Sequence, residues 1–431
     1  MSLSEDLARR ADAGNPVKIG LIGAGEMGTD IVTQVTLMRG LEIGVLAEIH
    51  IDHAWEALDI AGIGRDKAAF CETLAEAEAA MARGLIAVTS KGDIACTAKG
   101  VHVIIDATGN PGVGAELAIQ AMDHGKHVVM MNVEADITIG AYLARHAKQK
   151  GVVYSLAAGD EPACTMELVN FARALGYPII CAGKGKNNPL KFDATPEEYA
   201  EEAKRRNMNA RMLVEFVDGS KTMIEMVAVA NATGLIPDQP GMHGPKAGIK
   251  ELDQVLIPKA DGGVLSGAGR VDYSVGPGVA PGVFVIVKAP HPRVDERLRD
   301  LKVGKGPYYT LHRPYHLTSL ETPMTAAKLA LYQQADMTPL AVPVAEVATI
   351  AKFDLAAGVK LGKIGDAHYR GWAVTMDVSR DKNLLPIGLA ERAVTTKPIQ
   401  AGEYLTYDNC APDESMAIVK LRRLQDQLLG K

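Results

Sequence analysis

A glycine-rich segment carries two lysines and two amides in the order Gly183-Lys-Gly-Lys-Asn-Asn-Pro189. Lysine supplies a point charge for a phosphate or a carboxylate, and glycine lets the backbone approach such a group closely. The segment follows an apolar run that is typical of a strand, and binding loops are common where strands end. It therefore predicts an anion-binding loop formed by Lys184, Lys186, Asn187 and Asn188, with a solvated basic turn as the alternative.

Two more basic clusters follow along the chain. In Lys204-Arg-Arg-Asn-Met-Asn209, Arg205 and Arg206 could fork onto an oxyanion with Asn209 nearby, or could stabilise the end of a helix. The segment Gly304–His316 contains His312 and Arg313 beside a proline. These two side chains are further substrate-binding candidates, although each residue type is also common in purely structural roles.

Carboxylates provide candidates for acid–base and metal chemistry. Asp160 and Glu161 are adjacent, and Lys221 and Glu225 lie four residues apart on a predicted helix with apolar neighbours. A hard divalent cation prefers such oxygen ligands, so Asp160, Glu161 and Glu225 are the candidate metal ligands. Lys221, Glu225 and Asp160 are the candidate catalytic residues, and the alternative for the helical pair is a surface ion pair.

The elements that would position these residues begin with an apolar strand pattern that leads into Gly23-x-Gly25-x-x-Gly28 and a helix pattern. Gly23 permits a tight turn, Gly25 permits close approach of a pyrophosphate, and Gly28 permits close packing of the helix. With Glu26 and Met27, this turn predicts dinucleotide binding at a helix N-terminus.

Glu48 lies 20 positions beyond Gly28, at the end of the second strand pattern. An acidic residue at this distance hydrogen-bonds the ribose 2′-hydroxyl and favours NAD. No arginine or lysine lies between Arg39 and Arg65 to receive a 2′-phosphate. The alternative is that Glu48 is a solvated loop carboxylate.

Strand and helix patterns alternate through residues 17–157, which predicts an α/β fold with a Rossmann-type, doubly wound parallel sheet. Ligands bind at the carboxyl ends of such strands, so the loops 23–28, 108–112 and 132–136 should share one edge. The second and third loops add four candidate cofactor-binding residues: Thr108, Gly109, Asn132 and Glu134.

The remaining patterns predict two more domains. Residues 1–157 form the nucleotide-binding domain, with 308–335 returning to it, and residues 158–307 form an α+β substrate, catalytic and dimerisation domain. In that domain we expect helices at 165–175, 195–206 and 221–233, and strands at 179–182, 211–216 and 284–287. Residues 336–431 form a small β-rich domain in which 352–361 resembles 397–405, followed by a helix at 416–429.

Composition excludes several classes of protein. The 431 residues carry a net charge of −6, which argues against binding to nucleic acid or an anionic membrane. No apolar run approaches the ~20 residues of a spanning helix, and the first ten residues lack the apolar core of a signal peptide. The five cysteines show no zinc or disulfide spacing, which fits a cytoplasmic protein.

The motifs at Gly23–Gly28, Asp106–Gly109, Met131–Asp136 and Asp218–Glu225 resemble the homoserine dehydrogenase superfamily over about the first 330 residues. The whole chain, with its Lys-rich loop, its two further basic clusters and a C-terminal domain resembling a SAF domain, is similar to 1-deoxy-D-xylulose 5-phosphate reductoisomerase-like enzymes.

That resemblance implies a homodimeric enzyme that uses NADPH and a divalent metal, Mn²⁺ or Mg²⁺. The reaction would convert 1-deoxy-D-xylulose 5-phosphate to 2-C-methyl-D-erythritol 4-phosphate, an isoprenoid precursor. Lys221 would stabilise the enolate-like charge, and Glu225 would bind metal or transfer a proton. The alternatives are a homoserine-dehydrogenase-like oxidoreductase acting on an unphosphorylated hydroxy or oxo acid, and a non-catalytic NAD(P)-sensing protein.

Overall fold

The computed structural model describes residues 2–430, and it divides into two compact units. The first contains the chain up to Ala163 together with Leu317–Ala341, and the second contains Cys164–His316 and the chain from Val342 onwards. In chain order, strands β1 to β16 are Val17–Ile22, Leu41–Ala47, Ala68–Phe70, Ile86–Thr89, Val103–Asp106, His127–Met130, Tyr154–Leu156, Ile179–Gly185, Ile236–Pro237, Arg270–Ser274, Val283–Lys288, Tyr308–Arg313, Ala345–Ala351, Tyr369–Thr375, Val394–Thr395 and Cys410–Ala411. Helices α1 to α16 are Leu3–Asp12, Glu26–Thr36, Ile51–Ile60, Leu74–Ala82, Gly92–Thr97, Pro111–Asp123, Val133–Lys150, Glu161–Ala174, Ala200–Arg205, Ala210–Val217, Ser220–Thr233, Leu252–Val255, Pro292–Asp300, Thr322–Tyr332, Met376–Asp381 and Ala417–Leu428.

The first unit is built on a seven-stranded sheet in the order β3-β4-β2-β1-β5-β6-β7. Every strand pair in it is parallel. The strand order reverses at β1, which lies between β2 and β5, and doubly wound sheets bind their ligands at this position. The predicted Rossmann-type α/β fold is therefore confirmed.

Helix α14 belongs to the first unit although it lies far along the chain. Its residues Ala326, Ala327 and Leu329 are fully buried in the same apolar cluster as Val17 and Leu21 of β1. The small side chains of the helix allow it to pack closely on the sheet.

The second unit contains a five-stranded mixed sheet in the order β12-β11-β8-β10-β9. Strands β8, β9 and β10 run parallel, whereas β11 is antiparallel to β8 and to β12. Helix α11 is buried along almost its whole length, from Ser220 to Thr233 with the exception of Lys221. A helix that is enclosed on all sides can hold charged side chains in a dry environment.

The C-terminal residues lie in this second unit and contain the antiparallel pair β13–β14. Its Gly371 N–H donates to Ser220 Oγ of α11 at 2.8 Å. The two segments that resemble each other in sequence pair through an antiparallel bridge between Leu355 and Ile399. The likeness of this region to a SAF domain and the three-domain division stay predictions.

Several element predictions are confirmed, and others are wrong in detail. Strand β2, helix α11 and helix α16 form close to where their patterns indicate. Residues 211–216, predicted as a strand, form part of helix α10, because Leu213, Val214 and Val217 make one buried helical face. The helix predicted at 195–206 is formed only from Ala200 to Arg205, and β3 and β4 were not predicted.

Among residues 2–430, no helix combines the length and the apolar character that are needed to cross a lipid bilayer.

Candidate functional site

The turn between β1 and α2 has the geometry that its glycines require. Gly23 has φ +102°, and a Cβ there would lie 2.5 Å from the Ala107 carbonyl oxygen. A Cβ on Gly28 would lie 2.1 Å from the Gly23 carbonyl oxygen, so only glycine allows the helix to pack this closely. A Cβ on Gly25 would meet nothing within 4 Å, which leaves space for a pyrophosphate beside Glu26 and Met27 at the start of α2.

Glu48 is held against this turn by backbone hydrogen bonds. Its Oε2 accepts from the Ala24 N–H at 2.8 Å, and its Oε1 accepts from the His50 N–H at 2.9 Å. The carboxylate is therefore fixed and only partly exposed, rather than free in solvent as the alternative interpretation required. A carboxylate in this position would accept a hydrogen bond from a ribose hydroxyl and would repel a 2′-phosphate.

Replacing Glu48 with glutamine should shift nucleotide preference towards NADPH. Removing one negative charge beside a 2′-phosphate is worth about 1–2 kcal/mol, so the ratio of NADH to NADPH dissociation constants should change by about five- to thirtyfold. Titration calorimetry with both nucleotides measures this ratio. Glu42→Gln, which removes an exposed carboxylate from β2, the strand that ends just before Glu48, is the control. An unchanged ratio in Glu48→Gln would show that Glu48 does not contact the nucleotide ribose.

The other two predicted loops follow β5, which pairs with β1, and β6, which pairs with β5, so they lie at the same edge of the parallel sheet. Thr108 donates its N–H to Asp106 Oδ1 at 3.1 Å, and Gly109 has φ +61° in an exposed turn. Asn132 caps α7 by accepting the Ala135 N–H, yet its buried Nδ2 has no hydrogen-bond partner among residues 2–430. Such an orphaned donor is what a bound ligand would satisfy. Glu134 lies in the first turn of α7.

Two buried carboxyl groups lie close to these loops. Burial raises the pKa of Asp106 to about 6 and that of Asp136 to about 7, and hydrogen bonds from Thr108 and Tyr154 oppose these shifts only in part. Tyr154 donates its hydroxyl to Asp136 Oδ1 at 2.9 Å. Near neutral pH, the folded first unit therefore holds Asp136 in equilibrium between its protonated and ionised forms.

Asp136→Asn should make the stability of the first unit less dependent on pH. Between the unfolded pKa of 3.8 and the folded pKa of about 7, the folded chain binds a proton that the unfolded chain does not. Stability therefore falls as pH rises through this window, by roughly 2–4 kcal/mol in total. Urea denaturation should show the variant to be more stable than the parent above about pH 7 and equal to it below about pH 4. Asp66→Asn, at an exposed site of the same unit, should show no such trend.

In the second unit, the buried side chains of Lys184 and Glu225 form an ion pair. Lys184 lies within β8, which continues to Gly185 rather than ending at Ala182 as predicted, and Glu225 lies on α11. Glu225 is 1% exposed, so it lies in the interior and not at the surface, where the alternative interpretation of its spacing placed it. Gly183 and Gly185 are needed for packing, because a Cβ on either would lie within 2.2 Å of neighbouring backbone.

Lys186 lies next to this pair and is also buried. Its Nζ donates to the Phe216 carbonyl oxygen, and its own N–H donates to the Ser274 carbonyl at 2.9 Å. Burial and the nearby Lys184 lower the pKa of Lys186 to about 8, although Asp218 and Glu225 raise it. Lys186 forms no ion pair with a carboxylate in the part of the chain that the structure describes. A lysine in this setting is suited to receive an anion.

A second buried ion pair, which no sequence pattern predicted, lies beside α11. Lys352 Nζ is 2.8 Å from Asp218 Oδ2, and both side chains have 0% exposure. Lys352 also donates to the carbonyl oxygens of Ala194 and Asp366. Burial raises the pKa of Asp218, and Lys352 opposes that shift. The residues are 134 positions apart, so no spacing rule could have joined them.

The register of the sheet separates His312 from Arg313. Lys184 pairs with Val283, and Val283 pairs with Arg313, so Lys184 and Arg313 point to the same face of the sheet. Arg313 forms an ion pair with Glu167 of α8 at 3.0 Å on that face. His312 points to the opposite face, where it lines a cavity of about 350 Å³ with Thr310 and Lys305. The structure therefore brings Arg313, but not His312, to the face of the two lysines.

The remaining predicted binding residues lie in exposed loops. Asn187 is exposed and Asn188 is partly exposed, just beyond Lys186. Arg206 pairs with Glu202 at the end of α9, and Asn209 caps α10 by accepting the Arg211 N–H. Arg205 and Arg206 are both exposed at the end of α9, so the helix-end interpretation describes their surroundings better.

The three candidate metal ligands are carboxylates in two different units. Asp160 and Glu161 lie at the start of α8 and are partly buried, and Glu225 is buried on α11. The donor set consists of oxygen atoms alone, which fits Mg²⁺ or Mn²⁺ rather than a softer metal. Lys221 lies one turn before Glu225 on the same helix. The metal assignment stays a prediction.

Two family models match the chain. Residues 23–156 match the NAD-binding domain of homoserine dehydrogenase, and residues 159–322 match the catalytic domain of oxidoreductase DRL. The first match covers the glycine turn, Glu48 and the two further loops. The second covers Lys184, Lys186 and Glu225. No curated protein matches the chain in a sequence search.

Solved structures show weaker likenesses. A probable dehydrogenase from Thermotoga maritima is 13% identical with a TM-score of 0.43, and 74% of this chain covers 90% of that one. DOX-P reductoisomerase in complex with magnesium is 14% identical in sequence with a TM-score of 0.35, and 49% of this chain covers 57% of that one. Scyllo-inositol dehydrogenase from Lactobacillus casei with bound NAD(H) and scyllo-inositol is 14% identical with a TM-score of 0.37, and 69% of this chain covers 76% of that one. All three TM-scores are below 0.5, so these likenesses support no argument about substrate.

Proposed function

We propose that this protein, an NAD(P)-dependent oxidoreductase, converts 1-deoxy-D-xylulose 5-phosphate to 2-C-methyl-D-erythritol 4-phosphate and thereby supplies an isoprenoid precursor. The observation that carries the proposal is the buried cluster of Lys184, Lys186 and Glu225 within the segment that matches an oxidoreductase catalytic domain. The cluster combines cations for an anionic substrate group with a carboxylate for acid–base or metal chemistry.

Lys186 is the principal phosphate-binding residue in this proposal. It is buried and carries a charge that no carboxylate pairs with among the described residues, and its ammonium group has three donors, of which the Phe216 carbonyl accepts one. Lys184 adds to the positive field, although its own charge is paired with Glu225. Asn187 and Asn188 follow directly and would add amide donors to the same group.

A divalent metal is part of the proposal, because Asp160, Glu161 and Glu225 supply the oxygen donors that Mg²⁺ or Mn²⁺ prefers. When bound, such an ion would polarise the ketone and hydroxyl oxygens of the substrate. Glu225 would also move a proton, and Lys221 would stabilise the enolate-like charge that develops when the carbon skeleton rearranges. Burial of Glu225 excludes water from its carboxylate, and this strengthens the electrostatic interactions that the carboxylate makes.

A reduced nicotinamide nucleotide fits the first unit, where Gly25 leaves open space and Asn132 presents an orphaned donor. The nucleotide would supply the hydride that reduces the rearranged aldehyde. The resemblance implies NADPH, whereas Glu48 favours NADH, and both nucleotides belong in the test. The enzyme class disfavours the non-catalytic sensor, and a homodimer is part of the proposal that sedimentation analysis would examine.

The decisive experiment incubates pure protein with NADPH or NADH, Mn²⁺ and 1-deoxy-D-xylulose 5-phosphate. Loss of the reduced-nicotinamide absorbance, with the product identified by mass spectrometry, is the expected result. Glu225→Gln should abolish it, whereas Glu198→Gln, at an exposed carboxylate, should not. The match of residues 23–156 to homoserine dehydrogenase keeps an unphosphorylated hydroxy or oxo acid as the second candidate. Turnover of such an acid, with none of the sugar phosphate, would replace our proposal.

A further inference from the structure

Arg370 of β14 is a buried cation that pairs with no carboxylate among the residues that the structure describes. The residue is 8% exposed, and its Nη1 is completely buried with no hydrogen-bond partner. Within residues 2–430, its guanidinium forms no ion pair with any carboxylate. The group is held instead by aromatic rings, with its central carbon 4.1 Å from the ring centre of Phe192 and 4.5 Å from that of Trp372.

Burying a guanidinium without a carboxylate partner destabilises the folded state. Buried arginines are almost always paired, because a charge removed from water loses its hydration. Stacking on two rings orients the planar group and offsets part of the lost hydration energy. Aromatic faces, however, do not accept hydrogen bonds from its N–H groups as a carboxylate or a phosphate does. The arrangement fixes a planar fork of donors and leaves it ready to receive an oxyanion.

Three observations place Arg370 near the proposed catalytic segment of the same unit. The next residue, Gly371, donates its N–H to Ser220 Oγ at the start of α11, the helix that carries Glu225. Phe192 follows the Lys-rich loop by only a few residues. Asp218, just before α11, and more weakly Tyr273 influence Arg370 electrostatically, and Tyr273 is the direct neighbour of Lys184 in the sheet.

The charges of this region do not balance. Four buried cations lie around the start of α11, and two of them are matched by carboxylates, Lys184 by Glu225 and Lys352 by Asp218. The other two, Lys186 and Arg370, pair with no carboxylate among the described residues. Two surplus positive charges suit a group that carries two negative charges, as a phosphate monoester does near neutral pH.

We propose that Arg370, supplied by the C-terminal β13–β14 pair, binds the phosphate group of the substrate together with Lys186. This inference rests on the proposed function and extends it, because it gives the C-terminal region a direct part in substrate recognition. The Arg370 guanidinium would make a bidentate contact with two phosphate oxygens, while Phe192 and Trp372 fix the orientation of its plane.

The ring that stacks on Arg370 provides a direct readout. The chain has two tryptophans, Trp55 and Trp372, so Trp55→Phe leaves Trp372 as the only indole emitter. Titration of this protein with inorganic phosphate should give a saturable change in emission. Adding Arg370→Gln should weaken phosphate binding at least tenfold by calorimetry, and Arg370→Lys should do almost the same, since an ammonium cannot form the stacked fork.

Arg423→Gln is the matched control, because Arg423 also stacks on a ring, that of Tyr407, but is paired with Glu414. It should leave the phosphate affinity unchanged. In turnover, the Arg370 variants should raise KM for the phosphorylated substrate much more than they lower kcat. If Arg370→Gln does not fold, Arg370→Lys, which keeps the charge, provides the same comparison.

The outcomes separate this inference from the proposed function. Phosphate binding that survives both Arg370 substitutions would overturn the inference and leave the reaction intact. Phosphate binding that depends on Arg370, in a protein that does not turn over 1-deoxy-D-xylulose 5-phosphate, would support the anion site and reject the proposed reaction.

Discussion

Lys352→Met should destabilise the second unit by about 3–5 kcal/mol, because it leaves the Asp218 carboxylate buried without its counter-charge. The carbonyl oxygens of Ala194 and Asp366 also lose a donor. Urea denaturation followed by Trp372 emission in a Trp55→Phe background reports on this unit, since Trp372 lies within it.

Adding Asp218→Asn to Lys352→Met should recover a large part of the lost stability. The asparagine removes the stranded charge, and its side-chain oxygen still accepts the Ser220 N–H. Lys360→Met is the control, because Lys360 is exposed in the same C-terminal region. Equal stability of Lys352→Met and Lys360→Met would show that the buried pair contributes nothing.

Lys186→Ala should raise KM for the phosphorylated substrate by about 10- to 100-fold, which corresponds to the loss of one charge-assisted hydrogen bond of about 1.5–3 kcal/mol. The affinity for the nicotinamide nucleotide, measured separately by calorimetry, should stay within about twofold, since the glycine turn lies in the other unit. Equal losses of affinity for the substrate and for the nucleotide would show that Lys186 does not bind the phosphate group. Lys191→Ala is the matched control, because Lys191 is a partly exposed lysine only five residues away.

The same lysine should set a pH dependence. Burial lowers the pKa of Lys186 to about 8, so its charge is present below that pH and is lost as pH rises through it. Phosphate binding by the parent protein should therefore weaken above about pH 8, whereas Lys186→Ala should show no transition there. A transition near pH 8 in both proteins would show that a group other than Lys186 causes the pH dependence.

Much of the fold could be predicted from the sequence because its signals are local. The strand–glycine–helix order at residues 17–38 determines the turn, and the continuous apolar strands indicate a parallel sheet. Residues 211–216 mislead because valine and phenylalanine favour strands, whereas the spacing of Leu213, Val214 and Val217 favours a helix, and packing decides between them.

The candidate site could be predicted only in part. Lys184, Lys186 and Glu225 have recognisable local patterns, so they could be singled out before the structure. The pairing of Lys184 with Glu225, and of Lys352 with Asp218, depends on how distant segments meet. Arg370 has no motif around it, and its isolation becomes visible only when its burial and its missing partners are known together.

The return of α14 to the first sheet has a consequence for protein synthesis. Ala326, Ala327 and Leu329 complete a core that begins at Val17, so the ribosome must translate more than 300 further codons before that core can close. Until then the nascent amino-terminal half exposes an apolar sheet face to solvent. We expect stalled chains that end before Thr322 to remain protease-sensitive where the released full-length protein is resistant.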